Sequence, residues 1–411
     1  MQRVKKAKLV LEDKSVFEGF SFGAEKSTAG EVVFNTGMVG YPESMTDPSY
    51  KGQILCFTYP LIGNYGVPSW EKDAFGIPNH FESDRIQVQA IIVSDYSKDY
   101  SHWNAEKSLR QWLNEESIPA LYGIDTRALT KRLREKGAML GKIVFNDEKA
   151  DFYDPNKEDL VSQVSIKVPV VYDPNVRKSF SLRDYNEKNP IFKKTMERNS
   201  IIKTFKNKDS IFKNSIKSSL ILKKIKNRKT KKIVLVDCGL KNNIIRSFLK
   251  RNAVVIRVPY DYDFNQLDYG GLMVSNGPGD PKMCKKTIEN IRKALGMNKP
   301  IFGICLGNQL LSLAAGADTY KLKYGHRSQN QPCMMKGTKR CFITSQNHGF
   351  AVSTKTLPKD WEELFVNVND STNEGIRHKR KPFFSCQFHP EATPGPVDTG
   401  FLFDEFLGKI K

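Results

Sequence analysis

The sequence predicts an α/β fold, in which an open, mostly parallel C-terminal sheet flanked by helices follows a smaller, β-rich α/β N-terminal domain. From residue 232 onward, wholly apolar strand-like runs alternate with amphipathic helical runs, a pattern typical of a parallel sheet covered on both faces. Before residue 150, short strand-like runs are separated by Gly, Pro, Asn and Asp turns. A length of 411 residues suits two or three domains. We therefore predict an N-terminal domain over 1–150, a linker with a Lys/Asn-rich basic insertion over 151–231, and a C-terminal domain over 232–411.

The elements of the N-terminal domain are predicted from local patterns. Four apolar runs indicate strands: AKLVLE, GEVVFNTG, QILCFTYP and VQAIIVSD. One helix is expected after Asp125 and Thr126, which are good N-cap residues, and it should end at Gly137. A second helix, AEKSLRQWLNEE, is expected to begin at Ala105.

The C-terminal domain is predicted as alternating strands and helices. In chain order the strands are KKIVLVDCG, AVVIRVPY, GLMVSNGPGD and KPIFGICLG, and the helices are KNNIIRSFLKRN, KKTIENIRKALG and NQLLSLAAGA. Ligands of open α/β sheets bind at the carboxyl ends of the strands. The turns NGPGD and GICLG are therefore where we expect the chemistry.

Positive charge is concentrated in one segment. The formal net charge is +20, but residues 191–232 hold fifteen Lys or Arg residues against two acidic residues. We interpret this stretch as a solvated insertion, with a docking surface for RNA or an acidic partner as the alternative. No aromatic-interleaved nucleic-acid motif accompanies it, so nucleic-acid binding is not expected.

Other classes of protein are disfavoured by composition. No run approaches the roughly 18 apolar residues of a membrane span, and the first residues lack the apolar region of a secretory signal. The seven cysteines have no CxxC spacing, which indicates neither a zinc site nor a disulfide framework. We expect a cytoplasmic protein without a bound metal and without membrane association.

Cys305 is the candidate nucleophile. It lies between Gly303 and Gly307, where an apolar strand must turn abruptly into a helix. This is the pattern of a nucleophile elbow, in which glycines allow close backbone contacts and the helix N-terminus favours a thiolate. The alternative is a structural turn that buries a small cysteine.

His389 and Glu391 are the candidate base and its orienting acid. They follow the strand-like run FFSCQF and are separated only by Pro390, so on extended backbone their side chains point to the same face. Together with Cys305 they would form an acyl-transfer triad. The peptide N–H of Leu306 and that of Gly277, or alternatively of Gly279, could stabilise the oxyanion.

Four segments, SNGPGDP, FGICLGNQLL, SQNHGFAV and QFHPEATPGP, resemble the class I (triad) glutamine amidotransferases. The run GEVVFNTGMVGYPESMTDPSYKGQILCFTYPLIGNYGVP resembles the N-terminal half of the small, glutaminase component of carbamoyl-phosphate synthetase. The resemblance covers residues 1–150 and 232–411. It implies that Cys305 attacks the side-chain amide of L-glutamine, with His389 as the base and Glu391 behind it, and forms a γ-glutamyl thioester that water hydrolyses.

The resemblance also implies a set of glutamine-binding residues. These are Ser49, Gly277, Gly279, Leu306, Gln309, Asn347, Gly349 and Phe350. Asn308 departs from the family, whose members commonly have His there, and we expect only a local change in hydrogen bonding. Ammonia-dependent relatives lack the nucleophilic cysteine, so Cys305 implies a working glutaminase.

The resemblance further implies a synthetase partner, either a large subunit or a fused domain. The sequence has no Walker A motif, so we expect no cofactor in this chain and the use of ATP and Mg²⁺ by the synthetase. Carbamoyl phosphate would serve pyrimidine or arginine synthesis, and we favour pyrimidines. The alternatives are a class I amidotransferase that serves another synthetase, a hydrolase of another γ-glutamyl compound, and the RNA- or partner-docking protein.

Overall fold

The structure, a computed structural model, describes residues 5–146, 148–182 and 230–411. Two sheets dominate it, a closed barrel near the N-terminus and an 11-stranded sheet beyond it. The predicted α/β class is confirmed. Among the described residues, no helix combines the length and apolar character that crossing a membrane requires.

The barrel joins seven strands in the order β1-β2-β8-β6-β4-β3-β9. They are β1 (Lys6–Leu11), β2 (Val16–Ser21), β3 (Thr28–Asn35), β4 (Gln53–Phe57), β6 (Ala90–Ile92), β8 (Ala120–Tyr122) and β9 (Met139–Phe145). A separate two-stranded sheet pairs β5 (Val67–Pro68) with β7 (Ala105–Lys107). The helices are α1 (Tyr41–Thr46), α2 (Leu109–Glu115) and α3 (Thr126–Lys136).

The two predicted N-terminal helices differ in outcome. Helix α3 begins after its N-cap Asp125 and ends at Gly137, as predicted. The helix predicted from Ala105 begins later, at Leu109, because Ala105–Lys107 pairs with β5. Ser108 caps α2 by accepting a hydrogen bond from the amide of Gln111, an N-cap signal in the sequence that fixes the start of this helix.

The C-terminal sheet has the strand order β11-β10-β13-β12-β14-β15-β20-β19-β17-β16-β18. Its five central strands are parallel: β13 (Val254–Pro259), β12 (Lys232–Asp237), β14 (Gly271–Val274), β15 (Ile301–Ile304) and β20 (Phe383–Cys386). Antiparallel partners flank them, namely β16 (Thr319–Met335), β17 (Cys341–Val352), β18 (Trp361–Asn367) and β19 (Asn373–His378) on one side. The helices are α5 (Asn242–Lys250), α6 (Lys285–Ala294), α7 (Leu306–Ala315) and α8 (Phe401–Lys409).

The described part of the predicted linker is folded. It contains helix α4 (Leu160–Val164) and strands β10 (Val170–Asp173) and β11 (Lys178–Ser181), which extend the C-terminal sheet beyond β13. Val171 is fully buried there and supplies the apolar anchor. The strands are only four residues long, so their alternation is too short to recognise in the sequence. Residues 183–229, with nearly all of the basic insertion, lie outside the described residues, and the domain boundaries stay a prediction.

Candidate active site

Cys305 lies at the turn between β15 and α7 and has φ 54° and ψ −106°, a strained conformation for a residue with a side chain. The flanking glycines make the turn possible. A Cβ atom at Gly303 would lie 2.4 Å from the carbonyl oxygen of Gly307, and one at Gly307 would lie 2.1 Å from that of Val274. The predicted elbow geometry is therefore present, and it places the thiol at a helix N-terminus.

His389 and Glu391 follow β20, the strand that pairs with β15. Their side chains are buried, and Nδ1 of His389 lies 2.7 Å from Oε1 of Glu391. Nζ of the buried Lys241, on the segment between β12 and α5, lies 3.1 Å from the same carboxylate oxygen. The acid that orients the imidazole is thus itself held by a lysine that the sequence analysis did not identify.

These charges set the proton affinities of the pair. Burial alone would lower the pKa of His389, but the Glu391 carboxylate, aided by the electrostatic effect of Cys305, raises this pKa to about 10. Burial alone would raise the pKa of Glu391, but Lys241 and His389 lower this pKa to about 2. The arrangement therefore favours an imidazolium beside a carboxylate at neutral pH.

The sulfur of Cys305 lies close enough to His389 to raise the pKa of the imidazole. Since Nδ1 is engaged by Glu391, Nε2 is the imidazole nitrogen left for the thiol, and it is buried with no hydrogen-bond partner among the described residues. The sulfur lies 3.7 Å from the carbonyl oxygen of Asn347 on β17. Nucleophile, base and acid are thus brought together by two neighbouring parallel strands.

A cavity opens at Cys305. Its lining includes every residue predicted to bind glutamine: Ser49, Gly277, Gly279, Leu306, Gln309, Asn347, Gly349 and Phe350. His389 and Glu391 do not line the cavity and lie behind the nucleophile. Seven of the eight predicted binding residues come from the C-terminal domain, whereas Ser49 comes from the segment between α1 and β4 in the N-terminal domain.

Backbone amides suited to an oxyanion border this cavity. Leu306 is the first residue of α7, where peptide N–H groups have no partner within the helix. Gly277 packs so closely that a Cβ atom there would lie 1.9 Å from the carbonyl oxygen of Cys238. Gly279 has φ +82°, which favours glycine.

Comparison with known families agrees with this geometry. Residues 234–409 match the family described as glutamine amidotransferase class-I, and residues 9–143 match the carbamoyl-phosphate synthase small chain, CPSase domain. The chain joins a carbamoyl-phosphate synthase small-chain domain to a class-I glutamine amidotransferase domain.

Three relatives show the extent of the similarity. The multifunctional protein pyr1-3 of Dictyostelium discoideum is 49% identical over 99% of this chain and 17% of its own length. The multifunctional protein CAD of Squalus acanthias is 50% identical over 98% of the chain and 16% of its own length. The mitochondrial carbamoyl-phosphate synthase [ammonia] of Homo sapiens is 47% identical over 98% of the chain and 24% of its own length. The chain thus spans a quarter or less of the length of these relatives.

Asp47 of the small-chain domain connects the two domains at the cavity. Its carboxylate accepts hydrogen bonds from the amide of Ser49 at 2.9 Å and from the side-chain amides of Asn347 and Asn276 at 3.1 and 3.4 Å. Nδ2 of Asn276 also donates to Oγ of Ser49 at 2.9 Å. Asp47 was not among the residues predicted from the sequence, although its position in TDPSY, close to Ser49, is a signal that could have indicated it.

A second contact brings buried charges together behind the triad. Glu82 of the small-chain domain is fully buried and lies 3.3 Å from NH1 of Arg246 on α5. Burial raises the pKa of Glu82, whereas Lys241 and Arg246 oppose this rise. The Glu391 and Glu82 carboxylates raise the pKa of Lys241 above its ordinary value in spite of its burial. The lysine behind Glu391 is therefore balanced by a carboxylate from the other domain.

Asn308, the departure from the family pattern, is fully buried on α7. Its side chain accepts a hydrogen bond from Oγ of Ser385 at 2.7 Å and donates one to Oε1 of Gln387 at 2.9 Å. Gln309 donates to the same Oε1 at 3.1 Å and to the carbonyl of Phe350 at 2.9 Å. Asn308 thus supports the residues beneath the cavity without facing the cavity itself.

One cluster has the composition of a metal site. The buried His326, His348 and Glu374 place one potential ligand atom each within 4.8 Å of one another. His326 lies between Asp370 at 2.8 Å and Glu374 at 3.3 Å, and hydrogen bonds with these carboxylates raise the pKa of His326 to about 9 against the effect of burial. An imidazolium has no free lone pair for a metal, so we interpret the cluster as a buried ion pair.

Proposed function

We propose that this chain hydrolyses L-glutamine to glutamate and ammonia and supplies the ammonia to a carbamoyl-phosphate synthetase. The observation that carries the proposal is the placement of Cys305 on a strained elbow, beside an imidazole held by Glu391, at a cavity lined by all eight predicted glutamine-binding residues. The two matched families support the substrate and the destination of the ammonia.

Cys305, His389 and Glu391 divide the chemistry among them. The raised pKa of His389 favours an imidazolium, and the thiolate is the form of cysteine that acts as a nucleophile, so His389 holds the thiol proton when Cys305 attacks. The sulfur attacks the side-chain amide carbon, and the resulting oxyanion is stabilised by the N–H groups of Leu306 and Gly277. The C–N bond then breaks as His389 gives its proton to the leaving nitrogen.

The second half of the reaction releases glutamate. Ammonia leaves and water takes its place, and His389 accepts a proton from this water as the water attacks the thioester carbon. The C–S bond breaks and the Cys305 thiolate is restored. Glu391 keeps the imidazole in one orientation through both steps and stabilises its charged form.

The remaining cavity residues would bind the rest of the amino acid. Ser49, Gln309, Asn347, Gly349 and Phe350 offer a hydroxyl, carboxamides and backbone groups, which suit a zwitterion. The participation of Ser49 makes the small-chain domain a part of the glutaminase site, so separation of the two domains would open the cavity.

The synthetase partner would be a large subunit or a fused domain, and ATP and Mg²⁺ would act there. The relatives that are several times longer than this chain, among them pyr1-3 and CAD, support a fused arrangement, and the name pyr1-3 supports a pyrimidine role over an arginine role. All seven cysteines are free, which supports a reducing compartment such as the cytoplasm.

The test is ammonia release from L-glutamine by the wild type and by Cys305→Ser, with and without the synthetase. We expect Cys305→Ser to lower kcat by at least about 10³-fold, and the partner to raise the wild-type rate. Cys341→Ser is the matched control, because Cys341 is an exposed cysteine outside the cavity.

Two results would contradict the proposal. Full activity of Cys305→Ser would exclude this nucleophile, and an acyl-enzyme that forms only with another γ-glutamyl compound would exclude glutamine as the substrate. Deletion of residues 191–230 is expected to leave most of the hydrolysis intact. Loss of all function on this deletion would favour the docking alternative.

A further inference from the structure

Arg327 is a buried cation in the wall of the active-site cavity, and the glutamine-binding set predicted from the sequence does not include it. It lies on β16 with 5% of its surface exposed, and it lines the cavity together with Cys305. Two glycines make room for its guanidinium: a Cβ atom at Gly325 would lie 2.4 Å from NH1, and one at Gly349 would lie 3.2 Å from NH2.

The hydrogen-bonding capacity of this guanidinium is largely unused. NH1 donates to the carbonyl oxygen of Tyr324 at 2.7 Å, whereas Nε is buried without a partner. No carboxylate of residues 5–146, 148–182 or 230–411 forms an ion pair with Arg327 within 4.0 Å. A buried charge without a direct counter-ion is costly unless a ligand supplies one.

Glu31 of the small-chain domain, the carboxylate that acts electrostatically on Arg327, is already engaged. Its carboxylate accepts hydrogen bonds from Lys321 at 2.6 Å, Gln53 at 2.9 Å and Asn156 at 3.1 Å. Burial lowers the pKa of Arg327, and Glu31 opposes this effect without direct contact. The guanidinium nevertheless stays protonated, because arginine does not lose its proton in proteins.

We propose that Arg327 binds the α-carboxylate of the amino acid substrate. The inference rests on the proposed function and identifies how the site selects an α-amino acid amide over a simple amide. A guanidinium presents a planar fork of donors that matches a carboxylate. The bound anion would supply the missing counter-charge, while the neighbouring Gly349 and Cys305 hold the substrate along the same cavity wall.

Two thiol reagents that differ in the carboxylate separate this role from others. The glutamine analogue 6-diazo-5-oxo-L-norleucine carries the α-carboxylate, whereas iodoacetamide has none, and both alkylate a reactive thiol. We expect Arg327→Met to slow alkylation of Cys305 by the analogue about 100-fold, as for loss of one partner of a buried charge pair. Alkylation by iodoacetamide should stay within about threefold of the wild type.

Two further variants complete the experiment. Arg327→Lys should give an intermediate loss of about 10-fold with the analogue, because lysine keeps the charge but not the fork. Arg380→Met is the matched control: Arg380 is an exposed arginine paired with Asp360, and its loss should change neither rate. Because the wild-type cation lacks a direct counter-ion, the melting temperature of Arg327→Met should not fall.

The outcomes distinguish the inference from the proposed function. Equal slowing of both reagents would assign Arg327 to the thiolate or to folding and would overturn the inference, as would unchanged rates with both. If the wild type neither hydrolyses glutamine nor reacts with the analogue, the proposed function itself fails. Wild-type glutaminase activity combined with equal slowing in Arg327→Met would reject the inference alone.

Discussion

The two domains contribute to the cavity in different ways. The amidotransferase domain supplies the nucleophile, the base and the orienting acid from the ends of β15 and β20. The small-chain domain supplies buried carboxylates, namely Asp47, Glu82 and Glu31, each within hydrogen-bonding or ion-pair distance of a group in the other domain. The chemistry thus belongs to one domain, whereas its charge balance depends on both.

This difference has an energetic consequence. In the amidotransferase domain, Nζ of Lys241 lies 3.1 Å from Glu391. Glu82 from the other domain offsets part of the charge of Lys241 and forms an ion pair of 3.3 Å with Arg246. Buried charges are tolerated only when they are paired. Docking of the small-chain domain is therefore a condition for a stable triad.

The largest effect is expected for substitution of the catalytic base in the amidotransferase domain. His389→Asn removes the group that carries the proton, so kcat for glutamine hydrolysis should fall roughly 10³-fold with little change in folding. His378→Asn, at the end of β19 and away from the cavity, is the control. A variant of His389 that keeps more than a tenth of the wild-type kcat would remove His389 from the mechanism.

Removal of Lys241 tests the charges that the two domains share. Lys241→Met leaves Glu391 and Glu82 buried without their common cation, so the free energy of unfolding should fall by about 3–5 kcal/mol in denaturant titrations. Lys336→Met breaks an ion pair of 2.9 Å with Glu363 on an exposed lysine, and the expected loss is at most about 1 kcal/mol. Equal losses for the two variants would show that the buried charge of Lys241 contributes no more to the free energy of unfolding than an exposed ion pair does.

The contact between the domains at the substrate is tested by Asp47→Asn. The amide keeps the size of the side chain but cannot accept all the hydrogen bonds from Ser49, Asn276 and Asn347. We expect KM for glutamine to rise about 10-fold, corresponding to about 1.4 kcal/mol, while kcat stays within about threefold. Asp13→Asn, at an exposed position in the turn between β1 and β2, should change neither constant. A fall in kcat alone would place Asp47 in the chemistry and not in substrate binding.

The smallest effect is a shift in pH dependence. The pKa of His389 is raised from 6.5 to about 10, so the stabilisation of the imidazolium is complete below pH 6.5 and is lost as the pH rises through about 10. Glu391→Gln removes the carboxylate and should lower this pKa, which moves the basic limb of kcat/KM to lower pH. Glu18→Gln, at an exposed position on β2, should leave the limb in place. An unmoved limb in Glu391→Gln would mean that another group titrates there.

Much of the fold was accessible from the sequence because it depends on local patterns. The parallel strands β12 to β15 and helix α3 were predicted from apolar runs, caps and glycines, and the structure confirms them. The late start of α2 and the folding of residues 151–182 onto the sheet were missed. Both depend on pairing with distant strands, β5 and β13, which no local pattern records.

The elbow at Cys305 and the proximity of His389 to Glu391 could be predicted from residue order alone, because glycine spacing and strand alternation act over a few residues. The charges that meet across the domain boundary are instead brought together by the folding of the whole chain. Glu82 and Arg246 are 164 residues apart in the chain, and Glu31 and Lys321 are 290 apart, yet each pair is in contact. Charge pairing depends on distance and burial in the folded chain, and neither quantity can be read from residue order.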